Sequence, residues 1–173
     1  LTAPVDTTVV GKEAPMLFMG WRAEPSNSQQ IDTLEIVAQL LSNGQAGLFD
    51  LDLSQKMKVQ EIEAGVTDMN DYSVFYVYGQ SKSGQTLQEV RSLALDEIEK
   101  LKKGNFSDDL LPSIVNNYKR YYYKQLDNNQ FRAKQYVDAF INHKDWKKEV
   151  DKLNRISKLT KAEIVKFANQ FFR

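Results

Sequence analysis

The sequence predicts an α+β fold. The expected architecture is a two-layer sandwich, a small antiparallel or mixed sheet covered on one face by about five to seven helices. Three observations carry this. Three short β-rich segments lie in the first half of the chain, at residues 15–23, 59–66 and 72–78. Apolar residues then recur at helical spacing through most of the second half. Two capping boxes, Thr86-x-x-Glu89 and Thr160-x-x-Glu163, open helices within that half.

The elements follow in order. Residues 15–23 are apolar on both alternating sets, which predicts an interior strand. Pro25-Ser26-Asn27-Ser28 breaks that strand and offers helix caps. Ile31, Leu34, Val37, Ala38 and Leu41 form a helical stripe, and Gly44 can end the helix in the left-handed region. Residues 47–53 read as a short helical piece or a tight turn. Segments 59–66 and 72–78, separated by the polar cluster 67–71, predict an antiparallel hairpin. On its second strand Ser73, Phe75 and Val77 form one set, while Tyr72, Tyr76 and Tyr78 suit a half-wet face.

The Thr86 box opens a helix with Leu87, Val90, Ala94, Ile98 and Leu101 on one stripe, closed by Gly104. Ser107 or Asp109 caps the next helix, and Pro112 sits early, where a missing N–H costs least. Its stripe is Leu110, Ile114, Val115, Tyr118 and Tyr122. Helices near residues 131–141 and 146–156 follow, and the Thr160 box with a Leu159–Ile164 staple opens the last.

Composition removes whole reaction classes. The 173 residues include no Cys and one His, His143, so thiol chemistry and any site needing two imidazoles are excluded for one copy of this chain. His143 reads as a surface-loop residue, with no partner set for catalysis. No apolar run reaches the roughly 18 residues of a membrane span. The start, Leu1-Thr2-Ala3-Pro4, reads as a segment of a longer chain. Residues 1–14 are expected to be a linker or arm from that parent, and 15–173 a single domain. The absence of Cys is compatible with a bacterial envelope or periplasmic location.

Charge is balanced at 23 against 23, yet residues 1–80 hold 4 Lys/Arg and 11 Asp/Glu. The two halves of the chain therefore carry −7 and +7, and two faces of opposite sign are expected if the halves map onto the two layers.

The segment 79–86 has phosphate-loop spacing, but Gln85 stands where the phosphate-binding Lys belongs. A strand–helix turn capped by Thr86 accounts for it. Tyr118, Tyr121, Tyr122 and Tyr123 alternate with Lys119, Arg120 and Lys124, a pattern that can bind nucleic acid. An amphipathic helix with Tyr118 and Tyr122 on its core stripe and solvated cations accounts for it, and no nucleic-acid partner is assigned. Asp50-x-Asp52 and Asp68-x-Asn70-Asp71 lack the Gly and terminal Glu of a calcium loop.

Leu40-Leu41-Ser42-Asn43-Gly44 followed by Gly47-Leu48-Phe49-Asp50-Leu51-Asp52-Leu53 resembles a segment of the pitrilysin/insulinase family of zinc metallopeptidases. Leu101-Lys102-Lys103-Gly104-x-Phe106-Ser107, Asn116-Asn117 and Leu159-Thr160-Lys161-x-Glu163-Ile164 extend the resemblance in the same order. In that family a catalytic repeat carries His-x-x-Glu-His and binds zinc, and companion domains without the motif help enclose a chamber. This chain lacks the motif, so the resemblance implies a non-catalytic companion. It would have no zinc of its own, with zinc expected in the catalytic repeat of the same polypeptide.

The implied role is to wall the chamber and position peptide substrate. The alternatives are an inactive assembly homologue of the family and a nucleic-acid-binding module. Some members carry an assisting Arg and Tyr seven residues apart in the last companion domain. Aligned on Phe49, those positions here are Leu53 and Gln60. The resemblance instead implies the companion that holds a substrate's N-terminal end against a sheet edge. The corresponding residues are Asn43, Gly44, Gln45 and Gly47, with Ile62, Glu63, Ala64 and Gly65. Tyr72, Tyr76 and Tyr78 would face the chamber.

Overall fold

A computed structural model describes residues 3–173. Leu1 and Thr2, the start of the expected arm, lie outside the described residues. Residues 4–10 form neither helix nor strand and are exposed, and Asp6 approaches Arg91 at 3.5 Å.

One antiparallel sheet has the order β1-β3-β2, with β1 at Met16–Ala23, β2 at Glu61–Thr67 and β3 at Ser73–Gln80. Seven α-helices accompany it among the described residues: α1 Gln30–Leu41, α2 Leu87–Lys102, α3 Leu110–Leu126, α4 Asn129–Ile141, α5 Trp146–Val150, α6 Lys152–Ser157 and α7 Lys161–Phe171. A π-helical segment, Asp50–Ser54, lies between α1 and β2. This is the predicted α+β sandwich, with the sheet now fixed as wholly antiparallel.

Strand parity decides what the sheet presents. Ser73, Phe75 and Val77 of β3 are buried toward the helices. Ile62, Ala64 and Val66 of β2, and Leu17, Met19 and Trp21 of β1, share that side. Phe49, Phe75, Leu34, Leu40, Leu53 and Leu101 are among the fully buried side chains of the core. α1 sits deepest, with eight of its twelve residues buried, because it touches β2 and several helices at once.

Three expectations are corrected. β1 is an edge strand rather than an interior one, and its second apolar set, Met16 and Phe18, lies on the uncovered sheet face at 48% and 62% exposure. Two apolar sets therefore mark two kinds of contact here, core and open face. The stretch 146–156 is two helices, because Asp151 is at once the C-cap of α5 and the N-cap of α6. The short helical piece expected at residues 47–53 is present and continues as the π-helical segment. Finally, the acidic and basic halves do not map onto layers, because α1, from the acidic half, lies in the helical layer.

Opposite charges from the two halves instead meet as ion pairs inside the domain. Asp52 meets Lys100 at 2.7 Å, Asp68 meets Lys144 at 3.2 Å, Glu35 meets Lys152 at 2.9 Å and Asp32 meets Arg155 at 2.6 Å. The sequence asymmetry welds the halves together.

Both capping boxes form, at Thr86 and Thr160. Gly44 and Gly104 take positive φ, at 79° and 72°, as their positions after α1 and α2 require. His143 is exposed and takes φ 52° just after α4.

Candidate functional site

The turn after α1 is built around one carboxylate. Asp50 is 7% exposed, and its Oδ2 accepts hydrogen bonds from the backbone N–H of Asn43 at 2.9 Å, Gln45 at 3.2 Å and Gly47 at 2.9 Å. The Asn43 side-chain oxygen accepts from the N–H of Gln45 at 3.0 Å and Ala46 at 2.9 Å. Gln55 Nε2 donates to the Gln45 carbonyl at 2.9 Å. Gly47 is required by space, since a Cβ there would stand 2.4 Å from the Leu41 carbonyl oxygen. Residues 43–47 are therefore rigidly folded, and the N–H groups of Asn43, Gln45 and Gly47 are already engaged by Asp50.

The π-helical segment that carries Asp50 is tied to α2. Asp52 accepts from Lys100 at 2.7 Å and from Lys56 at 2.6 Å, and Lys100 also reaches Glu97 at 2.9 Å. The Lys100 and Lys56 hydrogen bonds lower the Asp52 carboxyl to about 2. Burial pushes Glu97 upward, opposed by Lys100, and its second oxygen has no hydrogen-bond partner.

These shifts act on stability in opposite directions. The Asp52 contribution is complete above its ordinary value of 3.8 and is lost as pH falls through about 2. The Glu97 contribution is complete below its ordinary 4.5 and declines as pH rises through its raised value. Asp52→Asn is therefore expected to flatten the acid limb between 3.8 and about 2. Urea melts of both proteins across that window measure it. An unchanged acid limb would contradict the assignment.

β2 carries the second half of the candidate site. It pairs with β3 alone, so its other edge is unpaired among the described residues. Ile62 is 5% exposed and faces the helices, so only its backbone is available at that edge. Glu61 and Glu63 are exposed on the opposite, uncovered face, and Ala64 is half-buried toward the core. Gly65 lies opposite Tyr76, and a Cβ at Gly65 would fall 2.5 Å from the Tyr76 ring. That glycine exists so that the Tyr76 ring can lie flat over β2.

The uncovered face continues from there. Tyr78 is flanked by Glu63 on β2 and Phe18 on β1. Phe18 stacks on Tyr76 with ring centroids 5.6 Å apart and an interplanar angle of 14°. Tyr78 Oη accepts a hydrogen bond from Gln80 Nε2. At the far end the Arg22 guanidinium lies 4.7 Å from the centre of the Tyr72 ring, beside a groove of about 440 Å³ that Gln30, Gln170 and Phe171 also line.

The structure thus brings Glu63, Gly65, Tyr76 and Tyr78 onto one surface and places Tyr72 at its other end. Residues 43–47 and β2 share a support rather than a common cleft. α1 packs on β2 and runs into the loop, and the π-helical segment touches β2 and holds the loop. Sequence reasoning missed Asp50, Phe18 and Arg22. The parity of Met16, Phe18 and Arg22 on β1 was a usable signal for the last two. Asp50 falls in the incomplete calcium pattern and in the segment that carries the family resemblance, but neither signals its buried acceptor role.

The donor set does not fit zinc. His143 is the single imidazole, and among the described residues no three His, Cys, Asp or Glu side chains are grouped to hold a metal ion. No described helix is long and apolar enough to cross a membrane.

Comparisons with known proteins agree with this geometry. The family described as the peptidase M16 inactive domain matches residues 2–118. A protease from Helicobacter pylori superposes with a TM-score of 0.86 at 19% identity, covering 91% of this chain and 38% of that one. An inactive peptidase domain from Bordetella parapertussis gives 0.77 at 12% identity, covering 96% of this chain and 91% of that one. A peptidase M16 inactive domain from Pseudomonas fluorescens gives 0.77 at 12% identity, covering 91% and 38%. At these identities the likeness is one of fold. This chain spans 38% of the length of the Helicobacter pylori protein. No curated protein matches the sequence.

Proposed function

This chain belongs to the peptidase M16 inactive-domain family, and we propose that it walls the proteolytic chamber of a zinc metalloendopeptidase and positions peptide there. Residues 15–173 would form the companion domain and residues 1–14 an arm from the parent chain. Zinc and the water-activating base would belong to a catalytic repeat of the same polypeptide.

The observation that carries this reading is the unpaired edge of β2 beside the uncovered aromatic face. An unpaired edge offers N–H and C=O groups that an extended peptide can pair with whatever its sequence. Glu61 and Glu63 set negative charge next to that edge, which favours a substrate's terminal ammonium group. Phe18, Tyr76 and Tyr78 supply apolar rings with polar tips against which varied side chains can rest. Affinity for one peptide is expected to be weak, on the order of millimolar, since few contacts offset the cost of ordering it.

The chain alone is expected to cleave no peptide and to retain no stoichiometric zinc. Elemental analysis after dialysis, together with a quenched-peptide assay, tests this. Near-equimolar bound zinc would contradict the division of labour.

A further inference from the structure

The open face of the sheet is ordered in rows that cross all three strands. Register places Phe18, Tyr78 and Glu63 in one row, Gly20, Tyr76 and Gly65 in the next, and Arg22, Val74 and Thr67 beyond. Tyr76 therefore stands between two glycines. Its ring leans over Gly65, and its Cζ and Oη atoms each lie 2.5 Å from where a Gly65 Cβ would be. Phe18 stacks on the same ring with centroids 5.6 Å apart. At position 65 the edge strand thus presents an aromatic ring from the central strand in place of its own side chain.

Charge sets where an occupant begins. Glu63 lies two residues before Gly65 on the same face and is exposed. Neither Glu61 nor Glu63 enters an ion pair among the described residues. Lys58 and Lys82 flank the Glu61 end of the strand pair, where Lys82 Nζ donates to the Met57 carbonyl at 2.6 Å, and Arg22 lies in the Thr67 row. The Glu63 and Gly65 rows hold no cation, so a terminal ammonium group is best met at Glu63. A permanent protein cover is disfavoured there, because it would bury two unpaired carboxylates, and charges along an edge oppose lasting strand pairing.

We propose that Tyr76 and Gly65 form a subsite for an aromatic side chain at the third residue of a peptide with a free N-terminus. The proposal rests on the peptide reading above and adds a direction and a preference to it. A strand added along β2 with its first residue at Glu63 covers four further β2 residues if parallel and two if antiparallel. The longer overlap offsets the slightly weaker pairing of parallel strands. Side chains return to one face every second residue, so the third residue falls beside Gly65. There it meets the Tyr76 ring, and a pair of aromatic rings adds affinity beyond the area it buries.

The test is NMR titration of the labelled chain with three C-terminally amidated peptides, Ala-Ala-Phe-Ala-Lys, Ala-Ala-Ser-Ala-Lys and Ala-Phe-Ala-Ala-Lys. The first is expected to bind at β2 about fivefold more tightly than the other two. Tyr76→Ala should abolish the difference and Tyr76→Phe should keep it. Gly65→Ala should also abolish it, by displacing the ring. Unmoved signals from the helical layer would verify that each variant folds.

Equal affinity for the three peptides, with shifts still at residues 61–65, overturns the subsite and leaves the peptide reading standing. Preference for the peptide with Phe at its second residue overturns the register. Loss of the preference in Tyr76→Phe assigns recognition to the hydroxyl and overturns the aromatic contact. No shift at β2 with any peptide overturns the peptide reading itself, and the subsite with it.

Discussion

Asp50→Ala is expected to destabilise the domain by about 4 kcal/mol, because three backbone N–H groups lose one buried, charged acceptor together. For a domain of this size that is a fall in melting temperature of roughly 10 °C. The loss should be local first. Amide exchange at Asn43, Gln45 and Gly47 should become fast while the central strand β3 stays protected. Asp50→Asn keeps one acceptor oxygen and should cost about half as much. Thermal melts and hydrogen exchange measure both. A cost under about 1 kcal/mol would mean that the turn is held by Gly44, Gly47 and Asn43 without the carboxylate.

Asp32→Ala should have a similarly large effect, about 3–5 kcal/mol, for a different reason. Asp32 is 9% exposed and receives Arg155 through Nε at 3.0 Å and Nη2 at 2.6 Å, with Lys152 at 3.5 Å. Burial alone would lower the Lys152 ammonium pKa, but Glu35, Tyr118 and Asp32 outweigh burial and push it upward. Removing Asp32 leaves two poorly hydrated cations short of counter-charge at the joint between α1 and α6. The double variant Asp32→Leu/Arg155→Met should recover much of the loss, since a packed apolar pair can replace a buried ion pair. Chemical denaturation of the single and double variants checks this. Equal losses in both would show that Arg155 is held by groups other than Asp32.

These two carboxylates also mark where the sequence was legible and where it was not. Helices announced by local chemistry were readable: the Thr86 and Thr160 boxes form as predicted, because capping involves residues three apart. The Tyr72–Tyr78 parity was readable because side chains alternate along any strand, and Phe75 and Val77 are buried as expected. Strand order was not readable. Nothing local tells β1 that β3 will take the centre, and the apolar Met16 and Phe18 looked like burial.

The same limit hid the pairing of Asp32 with Arg155, 123 residues apart. It also hid the fit of Tyr76 over Gly65, which depends on register between two strands. For the candidate peptide-binding residues in the loop 43–47 and β2, the signal in the sequence is the family resemblance. The structure adds that the loop's three N–H groups are occupied and that Ile62 offers only its backbone.

The central claim is that peptide is held at the β2 edge and the aromatic face beside it. Titration of the labelled chain with a short peptide bearing a free N-terminus, followed by NMR, tests it most directly. The account predicts shifts in Glu61, Ile62, Glu63, Ala64 and Gly65, extending to Tyr76 and Tyr78. Acetylating the peptide's N-terminus, or changing Glu61→Gln/Glu63→Gln, should weaken them. Shifts confined to the helices after Thr86 that spare both residues 43–47 and β2 would contradict it.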